Sequence, residues 1–440
     1  MKKIFSTVLL IAGALMFAGC AGEEENLFDK SAAERLNETS KIYTARLQSS
    51  EAGWVMEYYP TNTDEEYKGR GYVILADFDK DESVRLAMNN IMSDDEYMEG
   101  RSLWEVIADN GPVLTFNTYN EVLHCFSNPE YYESGKGFEG DYEFVMIDVP
   151  ENGQFIMLKG KKRGTYVRLT RLPDGTNFGE YLADIKAFNN TIFPANAVNE
   201  DVLIVGGEKY AVNSGNSGIM GVYPYEGDAI TETTTHPFLI TKRDGKYYLR
   251  FRSAFEVEVA DADNVQEQEF VYEPDNDRFV GVDNPENILE GGNPIDFFMS
   301  VFNNETNRWQ WTKTSEMSES HAAALDAASS GFRALTNVSL RLAKEDAVLR
   351  IQYRNSRNQN ASVDFIYTIT KEADGITMKY ERPALEAGQN VINSNPKLLD
   401  YLNLLSQKFK VQAGNTCFNL NTIRLQATAD TNNWIILSYY

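Results

Sequence analysis

Asp77, Asp79 and Asp81 stand at alternate positions in Asp77-Phe78-Asp79-Lys80-Asp81-Glu82, the spacing with which a calcium loop opens. Carboxylates so placed can converge on a hard cation. The EF-hand pattern then needs glycine at its sixth position and an acid at its twelfth, and here those are Glu82 and Met88. A charged hairpin tip fits the stretch better, so the three aspartates are poor metal candidates. Asn213-Ser214-Gly215-Asn216-Ser217-Gly218 has the look of a nucleophile loop, but a Gly-x-Ser-x-Gly elbow would need glycine where the chain has Ile219. His124, His236 and His321 are the whole histidine complement, which leaves a Ser-His-acid triad few ways to form. His124 and Cys125 are neighbours, so on a strand they would point to opposite faces and make no dyad. No His-Glu-x-x-His or Cys-x-x-Cys occurs, which argues against zinc. Two carboxylates for glycoside hydrolysis could come from the 65 Asp and Glu, but the sequence singles out no pair. No catalytic residue and no cofactor is assigned.

Aromatic residues are the more informative class. Trp309-Gln310-Trp311 would put two indoles on one face of a strand, a surface suited to the flat apolar side of a sugar. Tyr131 and Tyr132 sit in a polar, glycine-rich stretch from Pro129 to Gly140, where packing gives an aromatic less reason to be. These four are the candidate ligand-binding residues. The competing reading is burial, which Trp and Tyr usually serve.

The first residues read as an address. Lys2 and Lys3 precede an apolar run from Ile4 to Phe17, which is short for a membrane span and closes in Phe17-Ala18-Gly19-Cys20. Small residues before a cysteine suit lipoprotein processing, with residues 1–19 removed as signal peptide and Cys20 lipidated. Residues 20–28 then form an acidic tether containing Glu23, Glu24 and Glu25. This run resembles the export signal of Bacteroidetes surface lipoproteins, which implies the outer face of the outer membrane.

At 440 residues, with 42% apolar and 12% aromatic side chains, the chain can bury a sizeable core. Its formal charge of −24 repels phosphate backbones and argues against nucleic acid as a partner. The same charge gives anionic headgroups nothing to hold, so membrane attachment falls to the lipid on Cys20. Cys125 and Cys417 are the other cysteines, and they can be bridged or free.

The elements that must position these residues are mostly strands. Ser31 with Glu34 fits a capping box for a helix running to about Ser49. Eight short strands follow: Trp54–Tyr59, Gly71–Phe78, Ser83–Met88, Leu103–Ala108, Val113–Tyr119, Tyr142–Val149, Gln154–Lys159 and Thr165–Arg171. Turn residues between them predict an antiparallel meander, open or closed into an up-and-down barrel. Gly53-Trp54 after a helix resembles the opening of a lipocalin-like barrel. A helix from Phe178 to Phe193 lies in a connector, residues 173–199. Residues 200–440 predict a second, β-rich α+β domain, with helices at Ser315–Leu335 and Pro396–Phe409. The expected fold is thus mainly β, with barrel-like antiparallel sheets, flanking helices and two domains (29–172 and 200–440). No clean sequence repeat links the halves.

The lipobox, the acidic tether, Phe28-Asp29-Lys30-Ser31-Ala32-Ala33-Glu34-Arg35 and Gly53-Trp54-Val55-Met56-Glu57-Tyr58-Tyr59 together resemble a Bacteroidetes outer-membrane lipoprotein family. That family has a domain of unknown function over nearly the whole mature chain and is associated with starch-utilisation-type uptake loci. The resemblance implies a TonB-dependent transporter and its lidding lipoprotein as partners, and it carries over no catalytic residue. The expected function is capture of an extracellular glycan or peptide as an accessory of uptake. The alternatives are a surface hydrolase using paired carboxylates and a structural subunit of the transporter complex.

Overall fold

The computed structural model describes residues 30–63, 66–131, 135–213, 218–258 and 264–440. Cys20, the signal peptide and the whole of the tether lie outside them, as do Tyr132 and residues 214–217 of the serine-glycine loop. The chain winds into three closed barrels, each of eight antiparallel strands.

Helix α1 (Ala32–Leu47) starts at the expected capping box: the Ser31 amide donates to the Glu34 carboxylate at 2.9 Å, and the Glu34 amide donates back to Ser31 Oγ. Its last residue, Leu47, is fully buried in the end of the first barrel, where its carbonyl accepts the Trp54 indole N–H at 2.8 Å. The strands of this barrel are β1 (Trp54–Tyr58), β2 (Tyr72–Phe78), β3 (Ser83–Met88), β4 (Met98–Asp109), β5 (Gly111–Phe116), β6 (Glu143–Asp148), β7 (Phe155–Gly160) and β8 (Tyr166–Arg171). Each pairs with the next, and β8 closes on β1 with Trp54 opposite Arg171 and Glu57 opposite Arg168. Alternation puts Trp54, Met56 and Tyr58 inside with Ile74, Leu86, Trp104 and Phe144. At eight strands the bore is just filled by such side chains. On β4 the outward residues Glu99, Arg101, Leu103 and Glu105 are largely solvent-exposed.

Helix α2 (Phe178–Ile192) is mortar between two barrels. Phe178, Tyr181, Leu182 and Ile185 pack on the outside of the first barrel against Val55, Leu75 and Ala87. Phe188 and Ile192, with Phe193 after them, join the core of the second. The strands there are β9 (Asp201–Val205), β10 (Glu208–Asn213), β11 (Ile219–Pro224), β12 (Thr234–Arg243), β13 (Lys246–Val257), β14 (Val265–Glu273), β15 (Arg278–Gly281) and β16 (Ile288–Glu290). β16 closes on β9.

Helix α3 (Pro294–Ser300) leads into the third barrel. This comprises β17 (Trp309–Trp311), α4 (Glu319–Ser329), β18 (Ala334–Ala343), β19 (Asp346–Arg354), β20 (Asn360–Glu372), β21 (Gly375–Pro383), α5 (Glu386–Ser394), α6 (Pro396–Leu404), β22 (Lys408–Ala413), β23 (Thr422–Ala427) and β24 (Trp434–Tyr439). Residues 200–440, expected as one domain, therefore hold two barrels. The strands that close the second, β15 and β16, have only 4 and 3 residues, too short to show alternation in the sequence. The third barrel hides β22 behind α6, because the helix expected to reach Phe409 stops at Leu404.

The second and third barrels are joined by loop 414–421. Phe418 enters the second core, and Asp277 accepts from Thr416 Oγ1 at 2.9 Å and from the Cys417 amide at 2.6 Å. Cys417 and Cys125 are both free thiols, so no disulfide ties the halves together. Burial pushes each thiol up to about 12.

Candidate functional site

A polar cleft lies at one end of the first barrel. Beyond β5 the chain runs through Asn117, Thr118 and Tyr119 into a single helical turn, Glu121–His124. Asn120 caps that turn, its Oδ1 accepting from the Val122 amide at 3.1 Å while its Nδ2 reaches Ser102 Oγ at 3.2 Å. The loop to Gly140 returns the chain to β6, and the turn Lys161–Arg163 between β7 and β8 completes the rim. These segments enclose a cleft of about 1100 Å³.

Three aromatic rings form a ladder in it. His124 stacks on Tyr142 with ring centroids 4.9 Å apart and planes 27° apart, and Tyr119 lies against His124 at 5.2 Å and 38°. Tyr119 is 61% exposed and Tyr142 43%, so both outer rings offer area to solvent. His124 Nδ1 is anchored on the backbone of Asn120, 3.1 Å from its N–H and 3.2 Å from its carbonyl oxygen, which fixes the ring in place. Burial lowers the His124 pKa, keeping the imidazole neutral and able to stack. Burial likewise raises the Tyr119 phenol, which stays protonated.

The cleft is polar around the ladder, and its carboxylates are already engaged. Asp141 is buried and accepts from the amides of Lys162 at 3.2 Å and Arg163 at 2.7 Å. Glu139 pairs with Arg163 at 2.6 Å. Lys161 bridges Asp109 at 3.0 Å and Glu143 at 3.5 Å. Hydrolysis of a glycosidic bond asks for one carboxyl kept protonated by an apolar pocket beside one left ionised. Here each carboxylate is held by a cation or by backbone amides. Flat, accessible rings flanked by fixed donors and acceptors can instead stack on and hydrogen-bond a ligand.

The residues singled out by type and spacing lie elsewhere. Trp309 and Trp311 are 0% and 2% exposed and face the inside of the third barrel, where their indoles donate to the Phe298 carbonyl at 3.1 Å and to Tyr401 Oη at 2.9 Å. Neither has a face for a ligand; the burial reading applies. Tyr131 is half-buried against the first core. Its loop nonetheless supplies Pro129, Lys136, Glu139 and Gly140 to the cleft wall. Asp77 pairs with Arg85 at 3.4 Å, Asp79 with Arg101 at 3.2 Å, and Asp81 Oδ1 accepts from the Ser83 amide at 3.0 Å. They are the charged hairpin tip, and among the described residues no group of three or more His, Cys, Asp or Glu is placed to hold a metal. His124 and Cys125 end a helical turn, where a strand was assumed, and still part company: Cys125 is buried, with Sγ donating to the Val122 carbonyl at 3.4 Å.

A family model for a domain of unknown function, DUF4302, matches residues 24–269, more than half of the chain. The chain belongs to the DUF4302 family. The DUF4302 match covers the first barrel with its cleft, α2, and the second barrel into β14. It stops short of the nearly complete coverage that the resemblance implied, and the third barrel lies beyond it. Among solved structures, this DUF4302 protein is similar to a DNA polymerase III beta chain from Streptococcus pneumoniae TIGR4. The identity is 9% over 91% of this chain and 97% of that one, with a TM-score of 0.13. It is also similar to a putative DNA polymerase III beta subunit from Eubacterium rectale ATCC 33656, at 10% identity with the same coverages and TM-score. At that TM-score neither likeness carries an argument about fold or function. A comparison with curated proteins finds no match.

Proposed function

We propose that this protein captures an extracellular glycan in the mouth of its first barrel, on the Tyr119–His124–Tyr142 ladder. The carrying observation is that ladder: two exposed phenol rings held by a central neutral imidazole, in a cleft large enough for several sugar units. Stacking on the apolar face of a pyranose needs fixed, accessible rings, and a rigid barrel rim supplies them. The sequence supports a location for this capture. The lipobox ending at Cys20 and the acidic tether support a lipoprotein on the outer face of a Bacteroidetes outer membrane. There it would serve a TonB-dependent transporter as an accessory, holding ligand for import.

Affinity gel electrophoresis of residues 21–440 through host and dietary polysaccharides tests the reading. Retardation by at least one glycan is expected, lost in Tyr142→Ala and weakened in Tyr119→Ala. Absence of retardation by every glycan, or retardation untouched by either substitution, would overturn it.

A further inference from the structure

The first two barrels meet where each sets a carboxylate and a guanidinium side by side on neighbouring strands. Glu57 on β1 lies opposite Arg168 on β8, and Arg250 on β13 lies opposite Glu269 on β14. Each carboxylate also takes a cation from the other barrel: Glu57 Oε2 meets Arg250 Nε at 3.2 Å, and Glu269 Oε1 meets Arg168 Nη1 at 3.3 Å. Arg243 grips Glu269 with two parallel bonds, 2.8 and 2.7 Å. Three guanidinium groups thus face two carboxylates among the described residues, and no side chain of the five is more than 21% exposed.

Against this cluster lies a cavity of about 280 Å³, lined by Glu57, Tyr59, Tyr166, Arg168, Arg250 and Gln268 among others. It shares no lining residue with the barrel-mouth cleft. Glu57 Oε1 is buried there without a hydrogen-bond partner. A buried carboxylate oxygen lacking a donor is costly, and so is a buried surplus of positive charge. Burial raises the Glu57 pKa and outweighs the arginines beside it, which act to lower it. One ligand relieves both costs if it carries an anionic group for the arginines and a hydroxyl for Glu57.

We propose that this inter-barrel cavity binds an acidic monosaccharide, its carboxylate on Arg168 and Arg250 and a ring hydroxyl donating to Glu57 Oε1. The planar guanidinium fork matches a carboxylate in geometry as well as charge. A bare carboxylate would leave most of the volume empty, and a neutral sugar would leave the charge surplus unmatched.

Isothermal titration of residues 21–440 with D-glucuronate tests this, with D-glucose, acetate and inorganic phosphate as comparisons. Glucuronate should bind at least tenfold more tightly than each of the three. Arg168→Met should lose at least tenfold while Tyr142→Ala binds as before, which separates this site from the cleft. Glu57 keeps Arg250 across the barrels in the Arg168 variant, so a barrel contact persists, and circular dichroism checks the fold. If Arg168→Met does not fold, Arg168→Lys carries the test, since it keeps the charge without the fork and should lose at least threefold. Glucuronate binding no tighter than any one comparison, or undiminished by the Arg168 substitutions, would overturn the proposal.

Discussion

Trp311 donates its indole N–H to the hydroxyl of Tyr401 at 2.9 Å, deep in the third barrel. The hydroxyl therefore gives its own proton to His321 Nε2 at 3.1 Å, and His321 Nδ1–H donates onward to Asn433 Oδ1, also at 3.1 Å. The chain of bonds runs one way and fixes a neutral histidine. Burial pushes its pKa down to about 4 from 6.5. In that window the unfolded chain binds the extra proton and the folded chain does not. The stability His321 supplies is thus present above pH 6.5 and lost as the pH falls toward 4, by roughly 3 kcal/mol in all. Urea unfolding at pH 7.5 and 4.5, for the parent and His321→Gln, should show a smaller acid loss in the variant. Equal losses would mean that His321 does not titrate with folding.

Gly53 and Trp54 illustrate what the sequence could reveal. Gly53 adopts φ +85°, and a Cβ there would lie 2.5 Å from the Ala76 carbonyl oxygen. Only glycine lets β1 begin so close to β2. Gly53→Ala should cost roughly 2 kcal/mol or more, from backbone strain and the clash together. Gly245 has φ +75° with open space around it, so Gly245→Ala should cost only about 1 kcal/mol. Thermal unfolding of the two variants decides whether the close approach matters beyond the backbone angle.

The eight strands of the first barrel were legible because each is rich in β-branched or aromatic residues between turn residues, as Ser83–Met88 is, although β4 begins at Met98, five residues before the expected Leu103. Closure was not, since pairing of Glu57 with Arg168 is a long-range register that no local pattern encodes. The recurrence was hidden too. Trp54 donates to the last carbonyl of α1, and Trp309 donates in the same way to a carbonyl of α3, but the spacings differ, 7 residues against 11. The second barrel has no such tryptophan. The ladder was missed for a related reason. Tyr119 and His124 lie on the connection after β5, and Tyr142, at its far end before β6, is brought back to them by the pairing of β5 with β6. The faint signal available was aromatics among Asn, Ser and Thr at the ends of β5 and β6. The Trp-x-Trp pattern was the louder signal, and alternation aimed it into the core.

Tyr142 should matter to ligand through its ring. Tyr142→Phe keeps the stack on His124 and should retain binding within about threefold, whereas Tyr142→Ala should lose tenfold or more, on the scale of 1–3 kcal/mol that stacked rings contribute. Because burial lowers the His124 pKa, the neutral stack persists below the ordinary histidine range. Retention in the gels should therefore be the same at pH 8 and pH 6.5. A sharp loss at pH 6.5 would place a charged imidazole in the ladder and contradict the assignment.

Glu57 predicts the opposite pH response from His321. Its folded pKa is raised, mainly by burial, so the folded chain holds a proton more readily than the unfolded one. Its contribution is present below the ordinary glutamate range and lost as the pH rises through the raised value. Removing its cation should be costly: Arg250→Met leaves the carboxylate buried without its 3.2 Å partner, at about 3–5 kcal/mol. Replacing both, as Glu57→Leu with Arg250→Met, removes the stranded charge and should restore most of that loss. A double-mutant cycle in urea measures the coupling directly. If the double variant is as unstable as Arg250→Met alone, the contact between the barrels depends on the shape of these side chains and not on their charge.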